Sequence, residues 1–196
     1  MKTPTQTPSH TPTQTYPRLA KVIHLGLAGF GLAAYLTAEL AEGGTGSFGY
    51  LLHAYLGLSL AGVMLLRLGA GAGNSSILGF RHWSLLSASQ WRMVIDDLRG
   101  LVTFRVPDRG PHEGLAGLVQ ALGLLIFAWM ATTGAGLFLL GGAETPLFEL
   151  VEEAHELGEG LIPLYLLLHV GAVVLHTLIG QPVWGRMFRF RRTDTR

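Results

Sequence analysis

The chain has 196 residues, of which 49% are hydrophobic and only 14% charged, and its net charge is +1. Soluble domains carry about 25% charged residues, so the shell of a soluble domain is missing, and the apolar content excludes disorder over most of the chain. Eight histidines and no cysteine exclude disulfides, thiolate-ligated iron–sulfur clusters, cysteine zinc sites and covalent haem attachment.

Residues 1–17 form a Thr/Pro-rich tail in which TPTQT occurs twice, at Thr3–Thr7 and Thr11–Thr15. It has no helical period and is expected to be disordered. It is not read as a signal peptide, because the apolar stretch begins only near residue 19 and no small-residue cleavage pattern follows. A main domain over 18–192 is expected to hold four spans, at about 19–40, 49–68, 115–140 and 160–180, followed by a tail at 193–196. Each span approaches or exceeds the roughly 20 residues a helix needs to cross the hydrocarbon core. The predicted fold is all-α: a membrane four-helix bundle with a surface amphipathic helix in the loop between spans two and three.

That helix is read from Trp91, Val94, Ile95, Leu98, Leu101 and Val102, which recur on one helical face. Ser87-Ala88-Ser89-Gln90 reads as its capping box. Arg92, Asp96, Asp97 and Arg99 fall on the other side, so the helix is expected to lie on the cytoplasmic membrane surface. Trp83, Trp91 and Trp184 suit the interfacial belt.

All fourteen basic residues sit in the tail and opening of span one, between spans two and three, or after span four. The other two connections carry acids: Glu39 and Glu42, then Glu144, Glu149, Glu152, Glu153, Glu156 and Glu159. By the positive-inside rule both termini and the long middle loop face the cytoplasm.

Ionisable residues inside a membrane are costly and therefore point to function. His24 lies near the cytoplasmic end of span one, and His53 near the outer end of span two. His155 comes just before span four, His169 lies inside it and His176 is near its cytoplasmic end. His155 and His169 are fourteen residues apart, which drifts by only about 40° and separates them by roughly 21 Å along the axis. His53 is level with His155, and His24 with the lower half of span four. Two opposed imidazoles with an iron between them make a bis-histidine haem site, and a helical bundle builds such a site from facing helices. Gly26, Gly29, Ala33, Gly57, Ala61, Gly171 and Ala172 would let a flat macrocycle approach the backbone, or simply pack helices together. His10, His82 and His112 read as solvated loop residues.

The stretches RLAKVIHLG (Arg18–Gly26), LLHAYLGLSLAGVMLLR (Leu51–Arg67), TTGAG (Thr132–Gly136) and AHELGEGLIPLYLLLHVGAVVLH (Ala154–His176) resemble the bacterial cytochrome b561 family. Related proteins are the cytochrome b subunits of membrane-bound hydrogenases and formate dehydrogenases. The resemblance spans about residues 17–192. It implies His53 and His155 as ligands of an outer haem b, and His24 and His169 as ligands of an inner one. Arg67 matches as well. Depth arithmetic alone fits His176 to His24 better than His169, so His176 stays open as the inner ligand. His169 is preferred on the resemblance and on a bend at Pro163. His176 would otherwise meet a propionate or line a quinone pocket. Arg67, Arg18, Lys21 and Arg186 are candidate propionate partners or simply the positive-inside signal, and Glu156 and Glu159 are candidate acceptors for the His155 N–H.

Bis-histidine iron keeps no open coordination site, so the expected role is electron transfer across a bacterial inner membrane. The resemblance implies two haem b groups and a quinone as substrate. The expected partners are lipid and a periplasmic or membrane redox protein docking at the acidic outer loop. A homodimer is an open possibility, and no nucleic acid is expected. The alternatives are a structural membrane anchor of a redox enzyme complex and a histidine-based metal transporter. The latter needs ligands converging on one centre, which two pairs at two depths do not supply.

Overall fold

Four helices are long and apolar enough to cross a membrane. The computed structural model describes residues 16–73, 78–80, 87–103, 105, 112–181 and 183–188. His10, His82, Trp83, most of the Thr/Pro tail and the C-terminal tail lie outside them. The spans are α1 (Arg18–Leu36), α2 (Phe48–Ala72), α4 (Gly114–Leu140) and α5 (Pro146–Leu178). Helix α3 (Ala88–Val102) lies between α2 and α4, a 3-10 turn (Glu39–Gly43) follows α1, and a short α6 (Trp184–Phe188) follows α5. Among the described residues there is no strand.

Local chemistry sets the ends. Ser47 caps α2 by accepting from Tyr50 N–H, 3.1 Å. Thr145 caps α5 by accepting from Phe148 N–H, 3.2 Å, and Pro146 opens that helix, where its missing N–H costs nothing. Helix α4 ends on Gly141, whose φ of 62° is the left-handed conformation open to glycine. Helix α1 stops at Leu36, short of the expected residue 40, and the Thr37 hydroxyl turns back to Ala33 O at 2.9 Å. Helix α5 departs most from expectation. It begins at Pro146 rather than near 160 and runs for 33 residues, about 50 Å. The Thr145 cap and Pro146 start it early, and its acidic first turns are compatible with a helix N-terminus. His155 is therefore inside the helix, not ahead of it, and shares one continuous helix with His169 despite Pro163.

Packing follows a chain of neighbours. The extensive helix contacts are α1 with α2, α2 with α4, α4 with α5, and α3 with α4; α5 has none with α1 or α2. One core cluster joins Ile23 and Leu27 to Leu60 and Met64, backed by Leu124, Phe127 and Ala128. A second joins Ile126 to Ile162 and Tyr165. Outward leucines such as Leu65, Leu125, Leu139 and Leu167 are exposed, as lipid-facing positions are. On the side where α5 lacks extensive contact with α1 and α2, histidines of α1 and α2 approach those of α5.

Helix α3 keeps its capping residue, since Ser87 accepts from Gln90 N–H at 3.1 Å. Its faces divide differently from the sequence reading. Gln90, Val94 and Asp97 are buried, whereas Trp91, Ile95, Leu98 and Val102 are exposed. Asp97, expected on the solvated side, instead accepts from Leu115 N–H at 2.9 Å. Gln90 meets the same helix end, donating to Gly114 O at 3.2 Å and accepting from Gly114 N–H at 3.3 Å. The reason is the N-terminus of α4, whose own N-cap residue Glu113 makes no side-chain cap. Its free N–H groups and positive dipole end draw a carboxylate from α3. Gln90, Val94 and Asp97 thereby dock α3 on α4, while Arg92, Asp96 and Arg99 stay exposed and so do Trp91, Ile95, Leu98 and Val102. His112, read as a solvated loop residue, pairs its Nδ1 with Gln120 Oε1 at 2.8 Å.

Candidate haem-binding site

Histidines of α5 meet histidines of α1 and α2 at two depths. At the end of the bundle with the acidic connections, His53 of α2 and His155 of α5 bring their ring centroids to 6.3 Å. At the opposite, basic end, His24 of α1 and His169 of α5 bring theirs to 6.2 Å. His155 and His169 are fourteen residues apart on one helix, so the two depths differ by about 21 Å.

These spacings suit a shared metal. Imidazole–metal bonds of about 2.0–2.1 Å put the ring centroids of two opposed imidazoles about 6.3 Å apart across one ion. Rotation of a ring about its N–metal axis leaves that distance unchanged, so the interplanar angles of 90° and 43° are both compatible with it. Among the described residues no three of His, Asp and Glu gather into a compact metal group. A Cβ built on Gly29, Gly57 or Gly171 would meet nothing within 4 Å. Gly26 differs, since its Cβ would lie 3.1 Å from the Val63 methyls, which makes it a contact between α1 and α2.

The second ring nitrogen decides which one is left for a metal. His53 Nδ1 donates to Ala34 O at 3.0 Å. That carbonyl is in the last turn of α1, where helical carbonyls lack a partner four residues on. His155 Nδ1 pairs with Thr133 Oγ1 at 2.8 Å. Both leave Nε2 free. His24 Nδ1 is buried and has no hydrogen-bond partner among the described residues. His169 stacks on Tyr165, at 5.5 Å and 15°, and Phe188 of α6 sits edge-on to His24 at 6.4 Å.

The remaining candidates are placed as follows. His176 donates its Nδ1–H to Ala172 O of its own helix at 2.9 Å, and the ring that meets His24 is that of His169. Arg67 is 5% exposed, donates to Leu78 O at 3.0 Å, and lies 5.1 Å from the centre of the Phe80 ring. These contacts hold the segment after α2 against the helix end. Lys21, one turn before His24, is buried as well. The oxygen beside His155 Nδ1 is that of Thr133, at 2.8 Å, rather than one of Glu156 or Glu159.

Sequence reasoning missed four participants: Thr133, the Ala34 carbonyl, Tyr165 and Phe188. Tyr165 was open to detection, since it precedes His169 by one helical turn. Thr133 lies in the TTGAG stretch, but its partner is 22 residues away. The Ala34 carbonyl and Phe188 carry no sequence signal for this contact.

Four apolar helices with two pairs of facing histidines are an arrangement from which a helical bundle builds a cofactor site. The family model described as prokaryotic cytochrome b561 matches residues 15–190, and the chain belongs to that family. It is a membrane protein whose family binds haem b and transfers electrons through it. No curated protein and no solved structure matches significantly.

Proposed function

We propose that this chain carries electrons across a bacterial inner membrane through two b-type haems, between a quinone pool and a redox partner. His53 and His155 would hold the outer haem, and His24 and His169 the inner one. The observation that carries this reading is the pair of ring spacings, 6.3 Å and 6.2 Å, each matching the roughly 6.3 Å set by two metal–imidazole bonds. When bound, haem iron supplies one-electron redox chemistry with no open coordination position. The chain supplies depth, ligation and exclusion of water. Ala34 O and Thr133 Oγ1 orient the outer imidazoles and leave Nε2 free. Tyr165 and Phe188 hold the inner ones by ring contact.

The segregation of basic residues supports cytoplasmic termini, with the acidic connections outside, where they would attract a basic redox partner. Lys21, buried one turn from His24, is suited to neutralise an inner propionate. Arg67 is engaged with the segment after α2, so its part at the haem would be indirect. His176 follows His169 by two turns on the same face, which suits it to a quinone headgroup or a propionate near the inner haem. The unpacked outer face of α5 is available to lipid or to a second copy.

Haem content of the purified protein tests the reading. Two haems per chain are expected in wild type, one in His53→Ala and one in His24→Ala, each with a b-type alpha band in the reduced-minus-oxidised spectrum. A wild-type protein with no alpha band overturns it, as does a His53→Ala protein that keeps both haems. Reduction of the haems by a quinol tests the substrate.

A further inference from the structure

The imidazole of His155 is held from three directions, all from α4. The Thr133 hydroxyl is within donating reach of Trp129 O at 2.9 Å and Met130 O at 3.4 Å. With its hydrogen on Trp129 O, its lone pair meets His155 Nδ1 at 2.8 Å; ligation through Nε2 requires this arrangement, with the proton on Nδ1. The Trp129 indole N–H donates to Ala154 O at 2.8 Å and so ties down the backbone immediately before the histidine. The ring lies against Gly134, where a Cβ would stand 3.1 Å from His155 Cε1. The other pair is built otherwise, with His24 Nδ1 buried and, among the described residues, lacking a hydrogen-bond partner.

We propose that Thr133 is a positioning residue that orients His155 and lowers the reduction potential of the haem ligated there, leaving the other haem unaffected. The proposal rests on His155 being a haem ligand. An N–H that donates to oxygen makes the opposite nitrogen more basic and a stronger electron donor. A stronger axial donor stabilises the oxidised iron, and hydrogen bonding around the ligand is one of the levers by which a protein sets haem potential. A hydroxyl whose own hydrogen is tied to Trp129 can only accept, so Thr133 acts on His155 in one sense. Its influence stays at one depth, because the second ligand of α5 is about 21 Å further along the helix.

The test compares full-length wild type, Thr133→Val and Thr133→Ser, purified in detergent. Valine keeps the shape and removes the acceptor; serine keeps the acceptor. Haem per chain is measured first, followed by a potentiometric titration resolving two one-electron steps. The outer step is the one missing in His53→Ala. In Thr133→Val the reduced-to-oxidised ratio of the outer haem at fixed potential is expected to rise about tenfold, an upward shift of about 59 mV. That is the scale of one lost hydrogen bond. The inner step stays in place, and Thr133→Ser titrates as wild type. An unmoved outer step in Thr133→Val overturns the proposal, and so does an equal shift of both haems or a serine variant that behaves as valine does. If valine sheds the outer haem, its restoration in Thr133→Ser supports the orienting role. Loss of both haems, or failure of serine to restore the one, overturns it. Absence of haem from wild type is a failure of the ligand reading beneath, and it is seen before any variant is made.

Discussion

A side chain placed at Gly134 makes a direct test of how tightly the outer imidazole is held. A Cβ there would stand 3.1 Å from His155 Cε1, with Nδ1 at 3.7 Å and Nε2 at 3.9 Å. Ordinary carbon contacts begin at about 3.5 Å, so alanine asks the ring to withdraw by a few tenths of an ångström. Valine extends about 1.5 Å further and asks for more than the ring can give while keeping the 2.8 Å contact to Thr133. Ligand distances are held to within about 0.2 Å. Gly134→Ala is therefore expected to keep two haems with a perturbed outer potential, and Gly134→Val to lose the outer haem alone. Helix propensity works in the opposite direction, since replacing a mid-helix glycine by alanine is worth about 0.5–1 kcal/mol in the helix's favour. A perturbed outer potential in Gly134→Ala thus cannot come from a weakened α4. Gly62→Ala is the control, because its Cβ meets nothing within 4 Å and, nine residues after His53, it lies on the opposite face of α2. The assay is haem per chain by the pyridine haemochrome method, with redox titration of whatever remains. A Gly134→Val protein carrying two haems at wild-type potentials would refute the reasoning.

Other outcomes follow from the same geometry. His176→Ala should keep both haems, because its ring bonds to its own helix and His169 is the ring that meets His24; a haem count falling to one would return His176 to the ligand set. Asp97→Ala removes a buried charge-assisted cap from α4, worth about 1.5–3 kcal/mol. At about 2–4 °C per kcal/mol for a chain of this size, the thermal midpoint in detergent should fall by several degrees, and a midpoint within a degree of wild type would count against the cap. Trp91 lies on the exposed stripe of α3; its fluorescence, taken as the difference between wild type and Trp91→Phe, should be quenched by lipids brominated near the headgroup. Equal quenching by aqueous iodide and none by the lipids would place the stripe in water.

Much of this protein is decided by its sequence alone. Four apolar stretches need a membrane, because nothing else removes that many leucines from water. Complete separation of basic from acidic connections marks two sides. The fourteen-residue interval between His155 and His169 puts them on one helical face. These properties depend only on composition and the helical period, so they survive without any knowledge of what packs against what. The tertiary structure decides the rest. Helix α5 starts at Pro146, which a hydropathy reading passes over because acids fill its first turns. Asp97 leaves the solvated side of α3 for the N-terminus of α4 because that terminus lacks a cap of its own. His24 meets His169 rather than His176, which depth counting got the other way round by treating spans as equal and upright. The free nitrogen of each outer imidazole depends on an oxygen from another helix, Ala34 for one and Thr133 for the other. Such contacts join residues about twenty positions apart through the packing of helices, and no local pattern in the chain encodes them.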